Sequence, residues 1–550
     1  MGDFDHEVLK VHSVQIPWRQ PGGSAGFGRP RWWTTLPGRY LIMIKCSVAG
    51  VVATAVFLGL ADILARFFAP SASPLVALGN TIVELSPPAL QEFAISTFGS
   101  SNKLVLFISM AIGGALAAAL LGVLAGWRPK VAGVVFSAIG LIFVGLVLRR
   151  PDTGWVDVVP TVVGVGLGLA ALTALVTTAR PHATSFCENE PLPAASRRAF
   201  LGLASAGTAV AAVSLTLGRS VQTFVQDAAM AVDRLVLPSP AVRAALIPQS
   251  ASIGVPGVAP FITGNSEFFR IDTALIVPEL NPEEWTLRIH GLVESEVLID
   301  MSELLALPLE EHHITLACVS NPVGGDLLGT ATWLGYPVRE LLARAGPLPE
   351  ADMVLSRSSD GFTASTPLEA LTDARDSLLA VGMNGEPLPT QHGFPARLVV
   401  PGLYGYVSAT KWVVELEVTR FDLETAYWTD RGWDERAPVL VSSRIDVPQA
   451  LETLPAGDVV IAGSAWAQHV GIEAVEVQVD GGDWEPAELA SEVSIDTWRQ
   501  WRYVFSNAEP GRHWVTVRAR TADGEVQTGE RQDPIPNAAT GRHRIDFGVE

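Results

Sequence analysis

The chain is organised around one stretch, Ile314-Thr-Leu-Ala-Cys-Val-Ser-Asn-Pro-Val-Gly-Gly-Asp326. Apolar residues alternate in it up to Cys318, which is the two-residue period of a β-strand. Asn321-Pro322 and Gly324-Gly325 then break the strand. We therefore expect Cys318 at or near a strand end, beside a glycine-rich loop where a bulky ligand could approach the backbone. By itself, a lone cysteine is more often a small buried apolar residue than a functional thiol.

The residues that follow give this cysteine a family context. Cys318-Val-Ser-Asn-Pro-Val-Gly-Gly-Asp-Leu327 and then Trp333-Leu-Gly-Tyr-Pro337 resemble the molybdenum-binding segment of the sulfite oxidase family of molybdopterin enzymes. The resemblance implies that Cys318 is a metal ligand, since a thiolate is a soft ligand suited to a metal with sulfur-rich coordination. It also implies a molybdenum–molybdopterin cofactor, whose pterin dithiolene supplies the other sulfur ligands.

Composition indicates a membrane portion and argues against a nucleic-acid partner. The chain has 550 residues, enough for several domains, and only 17% of them are charged. Its net charge is −19, and it has no basic stripe with interleaved aromatic residues. The three cysteines, Cys46, Cys187 and Cys318, fall in three different regions. We therefore expect no disulfide framework.

Long apolar runs follow a segment that we interpret as a flexible cytoplasmic arm, residues 1–39. Each run is about long enough to span the hydrocarbon core of a bilayer. Four of them lie near Leu41–Phe67, Val105–Trp127, Val131–Leu148 and Val158–Thr178, and a fifth, less apolar run covers Ala199–Leu217. We predict about five transmembrane helices within residues 40–220, in contact with membrane lipid. Gly122 and Gly126, four residues apart, predict close packing between helices.

Basic residues predict the orientation of these spans. The arm, the loop at residues 128–130 and the loop at residues 180–198 carry arginine or lysine, which places them in the cytoplasm. Arg149 and Arg150 fall on the other side and do not fit this rule. After an odd number of spans, everything past about residue 220 lies outside. The sequence thus predicts a multi-pass protein of the cytoplasmic membrane with an extracytoplasmic catalytic domain.

A twin-arginine sequence precedes the fifth span. Ser196-Arg-Arg-Ala-Phe-Leu201 resembles the twin-arginine export signal, while two ordinary arginines on the cytoplasmic side are the alternative. The implied cofactor favours export, because a molybdopterin centre is inserted in the cytoplasm and its domain must then cross the membrane folded. The last span would remain as an anchor.

The remaining chain predicts two soluble domains after a linker over residues 221–260. Mixed short helices and strands over residues 261–435 predict an α+β domain, which the resemblance identifies as the molybdopterin-binding catalytic domain. Alternating strands and hairpin signals over residues 436–550, such as Asp480-Gly-Gly-Asp483, predict a β-sandwich of immunoglobulin type. This second domain looks like the dimerisation domain of the family, which implies that the protein could form a homodimer.

The resemblance also implies a set of cofactor-binding residues besides Cys318. They are Asn265, Phe269, Arg270, Asp360, His392, Arg397, Ser408, Thr410 and Lys411. Arg397 offers a planar fork for phosphate oxygens, and Lys411 offers a point charge. The alternative for single residues is structural: Arg397 could pair with a carboxylate, and His392 could be a core histidine.

The substrate pocket departs from the family pattern. Sulfite oxidases typically carry arginines shortly after the metal cysteine, whereas residues 319–323 contain none. Val381 stands where a tyrosine is expected, and Asp272 replaces a histidine. Sulfite needs cationic donors in a desolvated pocket, and Arg270 is the only clear candidate left for a catalytic role beside Cys318. We expect a retained fold and cofactor with an altered sulfite pocket.

Together these features predict a membrane-anchored molybdopterin oxidoreductase that performs two-electron oxygen-atom transfer on a small-molecule substrate. The sequence has no CxxC haem site, no histidine within the predicted spans and no iron–sulfur cysteine set. We therefore expect no haem or iron–sulfur cluster in this chain, and a separate electron-transfer partner, either a cytochrome or quinone-linked. The alternative is a non-catalytic membrane scaffold or assembly subunit with a degenerate molybdopterin-like domain. The missing arginines favour that alternative, and Cys318 opposes it.

Overall fold

The fold is taken from a computed structural model. It describes residues 36–550 with gaps at 69–71, 88–89, 91–92, 94–101, 151–152, 180–197, 206–207, 210–231, 233 and 275–276. Most of the predicted arm, Cys187, the first residues of the twin-arginine sequence and most of the predicted fifth span lie outside the described residues.

Five helices with defined bounds precede the soluble part, and the described residues 198–205 are also helical. The five helices are α1 (Leu36–Ala65), α2 (Pro74–Leu85), α3 (Asn102–Trp127), α4 (Pro129–Leu148) and α5 (Val159–Ala179). All except α2 are long and apolar enough to cross a membrane. This confirms that the first four predicted runs form long apolar helices, and that they cross a membrane stays a prediction. The short helix α2 lies in the region between the first two of them.

Glycines let α1 and α3 approach each other closely. A Cβ atom on Gly122 would lie 2.0 Å from the carbonyl oxygen of Cys46, and one on Gly50 would lie 2.0 Å from the carbonyl oxygen of Ala118. A Cβ atom on Gly126 would lie 2.8 Å from the sulfur of Cys46. These contacts confirm that Gly122 and Gly126 serve helix packing, because no larger side chain fits between the backbones.

Arg150, which does not fit the basic-residue rule, has an acidic partner. Its guanidinium is buried and lies 2.5 Å from Glu84 and 2.7 Å from the hydroxyl of Thr81, both on α2. A buried cation that is paired and hydrogen-bonded avoids the cost of desolvation. The pair therefore fixes the end of α4 to the short helix α2.

Two sheets and four short helices form residues 286–419. The strands are β1 (Thr286–Gly291), β2 (Val297–Asp300), β3 (Glu310–Ala317), β4 (Leu328–Pro337), β5 (Met353–Ser358), β6 (Thr363–Pro367), β7 (Leu378–Met383), β8 (Glu386–Pro387), β9 (Arg397–Val399) and β10 (Val413–Thr419). The helices are α6 (Met301–Ala306), α7 (Val338–Ala345), α8 (Leu368–Thr372) and α9 (Gly405–Ser408). This mixture confirms the α+β prediction.

The strand order brings distant segments of the chain together. One sheet has the order β2-β1-β10-β5-β6, with β1 and β10 parallel, and the other has the order β3-β4-β7-β8, with β9 paired to β7. The main apolar core contains Leu287 and Ile289 of β1, Leu416 of β10 and Leu341 of α7. The loops after β3, before β9 and before β10 carry four of the predicted site residues, Cys318, His392, Thr410 and Lys411.

The C-terminal region is rich in strands, as predicted. Its strands are β11 (Ser442–Val447), β12 (Thr453–Leu454), β13 (Gly457–Trp466), β14 (Ile472–Val479), β15 (Glu485–Pro486), β16 (Glu488–Leu489), β17 (Arg499–Ala508), β18 (Gly511–Thr521) and β19 (Arg544–Val549). They form two sheets, β11-β13-β17-β16 and β12-β19-β18-β14-β15. Val477, Trp501 and Phe547 pack in one core between the sheets.

The two soluble regions are joined by buried hydrogen bonds at strand β3. The amide of Thr315 donates to the carbonyl of Asp496, and the Thr315 hydroxyl accepts from the amide of Trp498. Trp498 is buried, and its indole donates to the carbonyl of Phe261 at 2.9 Å. Part of the predicted linker packs against the first soluble region, because the amide of Ala241 donates a hydrogen bond to the carbonyl of Leu309.

Candidate functional site

Cys318 immediately follows strand β3, which ends at Ala317. Its side chain is buried, and its amide donates to the carbonyl of Leu327 across the loop. Burial raises the pKa of the Cys318 thiol, while hydrogen bonds from Ser320 act in the opposite direction. A buried thiol of this kind becomes a thiolate when a metal displaces its proton.

The loop after Cys318 is closed on one side by the C-terminal region. Gly324 has a φ of +81°, and a Cβ atom there would lie 2.3 Å from the imidazole of His543. Arg444 donates to the carbonyl of Gly325 at 2.9 Å. The space beside Gly324 is therefore occupied by a protein side chain, so our expectation that a ligand approaches the backbone is wrong at Gly324.

Tyr404 is a neighbour of Cys318 that sequence reasoning missed. Its ring is buried, and its hydroxyl accepts a hydrogen bond from the amide of Leu440 at 3.3 Å. Burial raises the pKa of Tyr404 to about 12, and the charge of Cys318 contributes to that rise. The sequence signal that could have identified Tyr404 is its position directly before the segment that begins at Gly405 and resembles the family.

Arg397 is the most deeply buried cation of the predicted set. Its guanidinium donates to the carbonyl of His392 at 3.0 Å and more weakly to the carbonyls of Leu398 and Ala409, and it lies 5.1 Å from the ring of Trp333. Among the described residues, no carboxylate pairs with it, so the alternative of a carboxylate partner is wrong there. Burial lowers the pKa of Arg397 to about 9.

His392 and Asn265 meet beside this arginine. The Nε2 atom of His392 lies 2.9 Å from the carbonyl oxygen of Asn265, and burial lowers the pKa of His392 to about 4, so that the ring is neutral at pH 7. The ring of Phe268 packs against His392, and Phe269 stacks on Phe268. Phe269 thus lines the same side of the site.

Lys411 and Arg270 meet at Asp272, whose carboxylate is almost completely buried. Lys411 lies 2.8 Å from one oxygen of Asp272, and the Arg270 Nε atom lies 2.9 Å from the same oxygen. Burial lowers the pKa of Lys411 to about 8, although Asp272 opposes this shift. These cations lower the pKa of Asp272 well below its usual range, against the effect of its burial. The aspartate that replaces the family histidine is therefore a fixed negative charge.

The remaining predicted residues are placed near this cluster but use their polar groups differently. Ser408 donates to the carbonyl of Tyr404, and the hydroxyl of Thr410 bonds that of Ser356. Asp360 accepts from the amide of Phe362 in its own turn. Ser408 and Thr410 therefore support the backbone, whereas Asn265, Arg270, His392, Arg397 and Lys411 form one polar cluster.

An open pocket of about 570 Å³ adjoins this cluster. It is lined by Asn265, Ser266, Asn384 and Gln391, together with apolar and acidic side chains. The hydroxyl oxygen of Ser359 is buried without a hydrogen-bond partner in the described part of the chain, and the amide of Ser359 donates to the carbonyl of Trp412. Asn384 donates to Asn265, which fixes the near wall of the pocket.

These features fit an anionic, polar cofactor with a sulfur ligand set of its own. Arg397 and Lys411 supply buried positive charge, and Ser359 supplies an unused polar atom. Within the described residues, no group of three or more His, Cys, Asp or Glu side chains could hold a metal ion. A metal bound at Cys318 would therefore take its other ligands from a cofactor, as the dithiolene of a molybdopterin would provide.

Comparisons with known proteins agree with this geometry. The family model for the oxidoreductase molybdopterin binding domain matches residues 274–428. Mitochondrial sulfite oxidase of Rattus norvegicus is 31% identical over 289 residues, which cover 44% of this chain and 52% of that protein. The oxidoreductase YuiH of Bacillus subtilis is 33% identical over 153 residues, which cover 28% of this chain and 74% of that protein.

The solved structure of sulfane dehydrogenase SoxCD from Paracoccus pantotrophus covers 53% of this chain and 84% of its own, with 24% identity and a TM-score of 0.47. That superposition is too loose to establish a common fold. The present chain spans about half the length of the mammalian sulfite oxidases it matches. The match to YuiH, which covers most of that shorter protein, together with the molybdopterin model over the site, shows that the chain belongs to the sulfite oxidase family of molybdopterin-dependent oxidoreductases.

Proposed function

We propose that the protein is a membrane-anchored oxidoreductase that carries out two-electron oxygen-atom transfer on a small substrate at a molybdenum–molybdopterin cofactor. The observation that carries this proposal is the buried guanidinium of Arg397, which pairs with no carboxylate in the described part of the chain and lies in the family's cofactor segment. A desolvated cation is costly unless an anion accompanies it. The terminal phosphate of a pterin would be that anion.

Each residue of the cluster has a distinct part in this proposal. Arg397 and Lys411 would hold phosphate oxygens, and neutral His392 would keep its ring against Phe268 and the pterin side. Cys318 would bind the metal from the strand end, with its loop held by the C-terminal region. When bound, the cofactor supplies the two-electron chemistry, and the protein orients the reactants and excludes water.

Metal and pterin analysis of the detergent-purified full chain tests the proposal. We expect molybdenum and pterin in equal amounts, and we expect Cys318→Ser to keep the pterin but lose turnover. Wild-type protein without molybdenum by mass spectrometry, or a Cys318→Ser variant with full activity, would falsify the assignment. Cys46→Ser is the matched control, since Cys46 is the other buried cysteine among the described residues.

The substrate differs from sulfite in our proposal. Arg270 is occupied by its pair with Asp272 beside Lys411. The pKa of the Cys318 thiol is shifted by burial and by Ser320, and not by Arg270. Val381 is fully buried in the core that also contains Val319 and Tyr404. Arg444, which contacts the loop after Cys318, is already paired with Asp446. An apolar wall beside such a neutralised arginine suits a neutral or partly apolar oxygen donor or acceptor, such as a sulfoxide, better than an anion.

Steady-state kinetics with sulfite and a dye acceptor, on molybdenum-replete protein, tests this substrate proposal. The loss of one charged and one neutral donor removes roughly 2–4.5 kcal/mol. We therefore expect a kcat/KM for sulfite below about 10⁴ M⁻¹s⁻¹, which is the lower end of the usual range for dedicated enzymes. A value in or above that range would show that other residues form the anion site. A screen of neutral substrates, with oxidised and reduced dyes, identifies the direction of transfer.

The catalytic domain lies outside the cytoplasm in our proposal, and contacts with the helices support this side. Lys103, at the start of α3, binds Asp272, and Arg431 donates to the carbonyl of Glu84 at the end of α2. Helix α5 then runs away from this end of the bundle and finishes at Ala179. A fifth span between Ala179 and the soluble part belongs to this proposal, and the described residues 198–205 in that interval are helical. Loop residues 128–130, which carry basic side chains, lie at the opposite end.

Export by the twin-arginine route is part of the same proposal. We expect Arg197→Lys with Arg198→Lys to leave the domain after residue 220 in the cytoplasm, although the charge is unchanged, because the export receptor recognises the arginine pair. Protease accessibility from outside the cell measures this. Normal accessibility in the double variant would argue for the positive-inside rule alone.

Two kinds of partner protein also belong to the proposal. A separate cytochrome or quinone-linked protein would exchange electrons with the site. The C-terminal sandwich, of immunoglobulin type in our proposal, would pair two copies of the chain.

A further inference from the structure

Lys103 connects a membrane helix directly to the cofactor cluster. Its ammonium lies 2.7 Å from one carboxylate oxygen of Asp272 and 2.6 Å from the carbonyl oxygen of Ala274. The other oxygen of Asp272 accepts from both Lys411 and Arg270, at 2.8 and 2.9 Å. One buried carboxylate therefore separates a cation of the membrane helix from two cations of the site.

The charges around Asp272 do not balance. Lys103, Lys411 and Arg270 surround the one carboxylate. Three cations and one anion leave an excess of two positive charges. His392 is neutral, and Glu386 on the neighbouring loop binds Asn265 instead. A cluster with this excess, next to an open polar pocket, fits a ligand that carries two negative charges, such as a phosphate monoester.

Asp272 could also work against such a ligand. A carboxylate with both oxygens free would turn toward Lys411 and Arg270 and compete with the phosphate for them. Lys103 prevents this, because it holds one oxygen on the side of the membrane helix. It also adds a positive charge within about 8 Å of Lys411, a distance at which charges still interact in a partly desolvated site.

We propose that Lys103 is a positioning residue for the cofactor-phosphate site, so that the membrane helix α3 contributes to cofactor retention as well as to anchoring. This inference rests on the proposed function, since it takes the pterin phosphate as the ligand. It predicts that cofactor binding and the docking of the soluble domain on the helices strengthen each other, as two events that share one carboxylate.

The test measures pterin retention in the detergent-purified full chain. Pterin content per chain and the half-time of pterin release during dialysis are compared for wild type, Lys103→Met and Lys103→Arg. We expect Lys103→Met to release pterin at least about tenfold faster, a factor that corresponds to about 1.4 kcal/mol. Lys103→Arg should restore retention, since its guanidinium can bind both Asp272 and the carbonyl of Ala274.

Arg431→Met is the matched control, because it removes another contact between the soluble domain and the helices without touching Asp272. Retention in Lys103→Met equal to wild type overturns the inference. Equal loss in Lys103→Met and Arg431→Met also overturns it, since docking alone would then explain the effect. Wild-type protein that holds neither pterin nor molybdenum overturns the proposed function instead, and this inference with it.

Discussion

Replacement of Arg397 by methionine should separate a cofactor ligand from a structural arginine. Burial lowers the pKa of Arg397 to about 9. Since one pKa unit corresponds to about 1.36 kcal/mol, the buried charge costs the cofactor-free protein on the order of 5 kcal/mol. Methionine removes this cost and fills much of the same space, because it is an unbranched and flexible side chain.

The same change also removes favourable contacts. Three hydrogen bonds to carbonyl groups, two of them at 3.4 Å, contribute about 0.5–1.5 kcal/mol each. The stacking of the guanidinium on Trp333 contributes about 0.5–2 kcal/mol. These losses offset most of the gain, so the cofactor-free variant should change in stability by no more than about 3 kcal/mol in either direction.

The cofactor-loaded protein should respond very differently. Removal of one partner from a buried ion pair costs about 3–5 kcal/mol, which corresponds to a pterin affinity lower by a factor of roughly 10²–10⁴. The assay compares full-chain protein from hosts with and without pterin synthesis. Intrinsic fluorescence reports the midpoint of thermal unfolding, and pterin content per chain is measured after oxidative release.

Arg357→Met is the matched control, because the side chain of Arg357 already pairs with Glu415 at 2.9 Å. It removes the same charge from strand β5 in the other sheet and should leave the pterin content unchanged. Two results would refute the reasoning about Arg397. One is full pterin content in Arg397→Met, and the other is a collapse of the cofactor-free variant, which only a structural arginine would cause.

Three further changes probe the pH dependence, the helix bundle and the domain boundary. Because the pKa of His392 is lowered from 6.5 to about 4, the unfolded chain takes up its proton first as the pH falls. Stability should drop by at most about 3 kcal/mol between pH 6.5 and 4, and urea titrations should show a smaller drop in His392→Gln. Gly122→Leu should destabilise the solubilised bundle by about 1–3 kcal/mol or more in thermal unfolding, whereas Gly114→Leu, with open space around it, should not. Trp498→Phe leaves the carbonyl of Phe261 unpaired and should lower stability by about 1–3 kcal/mol in urea unfolding; an unchanged midpoint would contradict the importance of that hydrogen bond.

Local patterns in the sequence predicted local structure well. The alternation before Cys318 predicted a strand that ends there, and β3 does end at Ala317. The lengths of the apolar runs predicted four helices that the structure contains. Gly122 and Gly126 predicted a close helix contact for the same reason: spacing along a helix or strand determines which residues share a face.

Contacts between distant segments could not be predicted in this way. Lys103 and Asp272 are separated by 169 residues along the chain, and neither carries a pattern that points to the other. His543 fills the space beside Gly324, although the glycine alone suggested room for a ligand. Periodicity reports the face on which a side chain lies, but not which distant segment covers that face.

The closed loop beside Cys318 has a consequence for the order of biosynthesis. His543, which covers Gly324, is made 225 residues after Cys318 (543 − 318). At about 5–20 residues per second, the ribosome needs roughly 11–45 s to reach it. During this interval the thiol of Cys318, the metal ligand in our proposal, lacks one wall of its site and is open to oxidants and stray metal ions. A molybdopterin can therefore be enclosed only after translation has passed the last strands, and cells that slow this step should accumulate a cofactor-free, oxidised chain.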